Sequence, residues 1–149
     1  MKKYLLLILI ITLSACQAQP VPTPTAANSG PLVLTLEENP YAPKPEDASL
    51  IQTGIILTSL DLSETPQAGR TKLNILGSMP SVCSELRIKV NPPNQAYEIR
   101  IEMYSVANPG VNCDNVFQQF ETNILLGEYS AGVYSIWVNS SFVGDIVSY

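Results

Sequence analysis

The chain has 149 residues, 46% hydrophobic and 14% charged, with 13 acidic against 8 basic side chains, a net charge of −5 and no histidine. An acidic chain with scattered lysine and arginine argues against nucleic acid as a partner and against electrostatic adhesion to anionic lipid. Without histidine there is no His-based acid–base catalysis, no Ser-His-Asp or Cys-His constellation, and no His-containing zinc or haem site.

Lys2 and Lys3 precede an apolar run over residues 4–13, and Ser14 and Ala15 follow. This is the pattern of an export signal with its small-residue cleavage site. The run is about ten residues, half of what a membrane-spanning helix needs. One plain account is an ordinary secretory signal with a cysteine beside the cut. The four residues "LSAC", 13–16, however, resemble the lipobox of bacterial lipoproteins, with Leu at −3, Ser at −2, Ala at −1 and Cys at +1. The resemblance implies cleavage between Ala15 and Cys16, a diacylglyceryl group on the Cys16 thiol and a place in the bacterial cell envelope. There the protein is held to a membrane by lipid and faces away from the cytoplasm. Two or more acyl chains give stable anchoring where one gives only marginal binding. Loss of Lys2 and Lys3 takes the net charge from −5 to −7.

Residues 16–30 carry the lipidated cysteine and then "QAQPVPTPTAANSG", a stretch with three prolines and no charge. Such a segment buries too little surface to offset its ordering entropy, and its prolines favour polyproline II. As a tether it reaches roughly 40 Å at about 3.1 Å per residue; a docked arm is the alternative. Residues 31–149 are long enough for one domain with its own core.

Alternation of apolar and polar residues dominates this domain. "LVLTLE" at 32–37 reads as a strand, and a long β-branched stretch over 50–62 bends at Gly54. "TKLNILG" at 71–77 is a third. "ELRIKV" at 85–90 and "AYEIRIEMY" at 96–104 form a hairpin across "NPPNQ", whose Pro92 and Pro93 cannot continue a paired strand. "FETNILLG" at 120–127 is followed by "AGVYSIWVN" and "SFVGDIVSY", joined by a tight turn at Asn139, Ser140 and Ser141. Seven or eight short strands without helical periodicity point to an all-β fold, a single antiparallel β-sandwich, with a small closed barrel as the alternative. Cys83 precedes one strand of the hairpin and Cys113 follows the other, so both fall at one end of the sheet. A disulfide between them suits an exported protein; a redox pair lacks the C-x-x-C spacing that tunes a thiol.

The final 25 residues, "LLGEYSAGVYSIWVNSSFVGDIVSY", resemble the last strands of bacterial immunoglobulin-like and fibronectin-type modules. The resemblance implies an immunoglobulin-like sandwich. Antibody domains place a tryptophan between their two cysteines, whereas Trp137 follows both of these.

Candidate chemistry is sparse. Glu37 with Glu38, and Glu46 with Asp47, are adjacent carboxylates that point to opposite faces of a strand, and they read as solvated loop charges. Asn39 and Pro40 after a strand resemble the first loop of chagasin-type peptidase inhibitors, but the rest of that loop differs. Tyr41, Tyr129, Trp137 and Tyr149 are candidate aromatics for stacking on sugar or on a protein. "DLSET" and "CDN" offer oxygen ligands without calcium-loop spacing, so no metal and no cofactor is expected. The expectation is a noncatalytic binding or interaction module with a protein or glycan ligand; a structural envelope component is the second reading.

Overall fold

The computed structural model of the chain describes residues 34–65 and 70–149. The expected export signal at 1–15, Cys16, the expected tether at 16–30 and the start of the first expected strand lie outside the described residues. Among the described residues no helix is long and apolar enough to cross a membrane.

A 3-10 turn, Pro45–Ser49, precedes eight strands: β1 Ile51–Thr53, β2 Ile56–Glu64, β3 Thr71–Met79, β4 Glu85–Val90, β5 Glu98–Ala107, β6 Gln118–Leu125, β7 Gly132–Val138 and β8 Ser141–Ser148. They form two sheets. One joins β2, β3 and β6; the other joins β1, β4, β5, β7 and β8 around a central β5. The β-branched stretch at 51–64 breaks at Gly54 and Ile55, as its sequence predicts, and the break lets one run of chain serve both sheets. Inward-facing Leu73 and Ile75 of β3 meet Ile88 of β4, Ile99 and Ile101 of β5 and Ile136 of β7, all within 2% of full burial. This alternation of buried and exposed residues makes a sandwich core.

The β4–β5 hairpin forms in unbroken register, Glu85 opposite Val106 and Val90 opposite Ile101. At its closed end the Asn94 side-chain carbonyl accepts N–H bonds from Ala96 (2.9 Å) and Glu98 (3.0 Å). The β7–β8 hairpin turns on Asn139 and Ser140, both at positive φ, the twist-matched geometry of two-residue loops. Gly77 sits where β2 bulges between Leu57 and Ser59. A Cβ there would lie 2.5 Å from the Ile56 carbonyl oxygen and 2.8 Å from the Phe120 ring.

Two expectations are corrected. Residues 36–38 are a turn, not a strand. The Thr35 hydroxyl accepts the Glu38 N–H and the Glu38 carboxylate accepts the Thr35 N–H, so a local T-x-x-E box overrides the alternation of leucines. The second concerns direction: β5 and β7 pair in parallel over Glu98 to Ile101 against Ser135 to Val138. The chain leaves β5 for β6 in the other sheet and then returns. Two reversals leave β7 running the same way as β5.

One edge of β5 is shared by three segments in succession. β7 pairs with its first residues, and β1 pairs with Ser105 to Ala107. Between them the Asn139 side chain accepts the Met103 N–H and donates to the Met103 carbonyl, both at 2.8 Å, and so completes the ladder.

Candidate functional site

The two-sheet order sends the loop between β3 and β4 and the loop between β5 and β6 to the same end of the sandwich. A Cys83–Cys113 disulfide joins these loops, with Cα atoms 6.0 Å apart. Val82 beside Cys83, and Val111, Val116 and Phe117 around Cys113, are each more than half exposed. Ile51 and Ile56 open β1 and β2 at this same end and are equally exposed. Large apolar side chains belong in a core, so their concentration on one stapled tip is unusual for a surface left in water. The only charge within residues 80–84 and 108–117 is Asp114.

The opposite end is acidic and receives the incoming chain. The Glu38 carbonyl accepts the Leu125 N–H at the foot of β6 (3.2 Å). The Glu38 carboxylate pairs with Arg70, whose Nε and Nη2 also donate to the Leu126 carbonyl. Hydrogen bonding from the Thr35 backbone and then from Arg70 holds the Glu38 carboxyl below its ordinary range.

A family model described as the ORF11 beta-sandwich domain matches residues 73–147, from β3 through nearly all of β8. The chain belongs to the ORF11 beta-sandwich family. No curated protein and no solved structure matches it.

In this ORF11 sandwich the segment between Glu38 and β1 is a strap across the free edge of β4. The buried Asn39 amide donates to the Ile88 carbonyl (2.7 Å), and the Ile88 N–H donates to the Tyr41 carbonyl (2.8 Å). Asn39 is therefore committed to the interior, unlike the exposed inhibitory loop that its Asn-Pro pair resembles. Further along, Asp47 is not a solvated loop charge. Its carboxylate receives Arg87 Nε (2.7 Å) and Nη2 (2.8 Å) together with the Lys44 N–H (2.8 Å). Arg87 projects from the outer face of β4 yet is 4% exposed, because the 3-10 turn covers it. The Arg87 guanidinium holds the Asp47 carboxyl down at about 2, against an opposing contribution from burial.

The four candidate aromatics are scattered. Tyr41, within the strap, packs against the core. Tyr129 also packs against it, 5.1 Å from the Tyr134 ring, with Tyr97 on the other side of Tyr134 at 5.6 Å. Burial pushes the Tyr129 hydroxyl up to about 12. Trp137 lies on the outer face of β7 beside Phe142 (5.4 Å), with Arg100 over its ring. Tyr149 is fully exposed at the chain's last position, beside a cleft of about 420 Å³ between β2 and β8. No common stacking platform results. Among the described residues no group of three or more Cys, Asp or Glu is placed to hold a metal ion.

The apolar tip lies in loops, which carry no strand period to mark it. Its signal was available: Val111, Val116 and Phe117 stand among Asn, Pro, Gly and Asp, where turn chemistry calls for polar residues.

Proposed function

We propose that this protein is a lipoprotein of the bacterial cell envelope, held to a membrane through acylated Cys16, whose ORF11 sandwich is a noncatalytic binding module working through its stapled apolar tip. The reading is carried by one observation: Val82, Val111, Val116 and Phe117 gather in the open at the end opposite the point where the chain enters the domain. Burying a fully exposed side chain of this kind contributes about 1.5–3 kcal/mol; these are a little over half exposed, so covering each contributes about half of that, and a partner that covers several gains a usable surplus over the cost of association. The near absence of charge on the tip favours an apolar protein surface. A glycan calls for aromatic platforms, and the four candidate aromatics, Tyr41, Tyr129, Trp137 and Tyr149, lie apart. The noncatalytic reading draws on the lack of histidine and on the commitment of Glu38 and Asp47 to Arg70 and Arg87.

Photocrosslinking in cells tests it. A photoreactive phenylalanine analogue at Val82 or at Val116 is expected to capture the same partner, and one at Lys89, on the outer face of β4, is not. Capture from Lys89 alone, or from none of the three, overturns the tip as the binding surface. Intact mass tests the anchor separately: the mature protein should begin at Cys16 and carry added acyl chains, and a bare Cys16 removes it.

A further inference from the structure

The outer edges of the two sheets are not alike. The edge of β4 is occupied by the strap through Asn39 and Tyr41. β2 is bulged between Leu57 and Ser59, β8 is bulged opposite Ile136 and Trp137, and β1 is three residues long. Strand shortening, bulges and coverage are the devices by which natural sheets blunt their edges. Among the described residues β6 is neither short nor bulged, and its edge is covered only at the foot, where Glu38 meets Leu125. It pairs with β3 over all eight residues without a shift, and it contains no proline, lysine or arginine.

The phase of that ladder is fixed at its foot. The Leu126 N–H donates toward β3, to the Thr71 carbonyl, and the Leu125 N–H donates away from it, to Glu38. By alternation, Gln119, Glu121 and Asn123 aim their N–H and C=O groups outward. Among the described residues no backbone group meets these three. The result is a straight row of donors and acceptors that begins directly after exposed Phe117.

We propose that β6 accepts an extended strand of a partner protein, one that alternates apolar and cationic side chains, by addition to the edge of the β2–β3–β6 sheet. The cationic preference follows from charge. Glu121 stands on the outer face of β6 and Asp61 of β2 adds to the same face, on which Lys72, at the foot, is the one cation among the described residues. Side chains of an added strand would alternate between that acidic face and the inner side beside Phe120 and Thr122. A second copy of this chain fits less well. Antiparallel self-pairing over the full row sets Glu121 opposite its own symmetry mate, and like charges directly opposed are destabilising. The proposal deepens the binding-module reading and rests on it only in taking a protein as partner; it uses an edge instead of the tip.

The test is amide exchange on the protein with and without a synthetic hexapeptide of alternating lysine and valine. At saturation the amides of Gln119, Glu121 and Asn123 are expected to slow by about tenfold or more. Those of Phe120, Thr122 and Ile124 already bond to β3 and should not change, so an alternating pattern separates strand addition from mere charge attraction. Gln119→Pro removes one outward donor at an edge position where proline is tolerated, and with an unchanged melting curve it should abolish the pattern. Glu121→Lys should shift preference toward a second hexapeptide, of alternating glutamate and valine, by up to about fivefold. Outward amides protected in the free protein, or unchanged at saturating peptide, overturn the proposal. Phe117→Ser should leave the pattern intact while weakening capture at the tip, so failure of one surface does not mimic failure of the other.

Discussion

Replacing Asp47 by asparagine removes one charge from a nearly closed ion pair and keeps its shape. The carboxylate accepts three hydrogen bonds, two of them from Arg87, and the two side chains are 10% and 5% exposed, so water screens them little. Its pKa falls from an ordinary 3.8 to about 2. At about 1.4 kcal/mol per unit, this corresponds to roughly 2 kcal/mol of folding stability. Arg87 in the variant keeps Glu85 at 2.9 Å and the Leu86 carbonyl at 3.0 Å, which holds the loss below the 3–5 kcal/mol of a fully orphaned buried charge. The sign is definite. A depressed carboxyl stabilises the fold at pH values above its unfolded pKa, and that contribution disappears as pH falls through the folded one. Urea unfolding at pH 7 should therefore show Asp47→Asn weaker by about 2 kcal/mol. The gap should close between pH 4 and pH 2 as the parent protein protonates. A gap that persists unchanged at pH 2, or none at pH 7, refutes the assignment of this stability to the pair.

Other perturbations read other parts of the fold. Gly77→Ala drives a Cβ into the Ile56 carbonyl and the Phe120 ring and should cost about 1–3 kcal/mol in the same unfolding assay. Asn139→Ala orphans both backbone groups of Met103; a loss of about 2 kcal/mol is expected, together with faster exchange of the Met103 amide. Cys83→Ala with Cys113→Ala opens a 30-residue loop and should lower stability by about 3–4 kcal/mol in the chain-entropy picture. Reduction of the parent protein should reproduce that loss, and a double variant as stable as the parent would deny the staple its role.

Local features of the fold were legible in the residues. Alternation located β3, β4, β5 and the last two strands, Pro92 and Pro93 marked the hairpin, and Gly54 marked the bend, because each depends on neighbours in sequence. The margins of Cys83 and Cys113 placed them together once the hairpin was drawn. Thr35 with Glu38 formed a box that alternating leucines concealed, a competition between two local signals. What could not be read was every choice of partner across the fold. Nothing near Asp47 announces Arg87, and nothing near Asn139 announces Met103. The parallel contact of β5 with β7 depends on the route through the other sheet, which no window of sequence contains. The tip lies in loops, whose apolar residues follow no period.

The shared edge of β5 carries a consequence for how the domain assembles. Its upper part is finished by β1, near residue 51, and its lower part by β7 and Asn139, near residue 138. Contacts separated by this much chain cost loop-closure entropy before they return anything, so they form late and slow the rate-limiting collapse. Both ends of the domain must therefore arrive on one central strand before its ladder closes. Clipping the last hairpin should unfasten β1 as well, although the two segments never follow one another in the chain. The domain should fold as an all-or-none unit, with no half of it able to hold β5 alone.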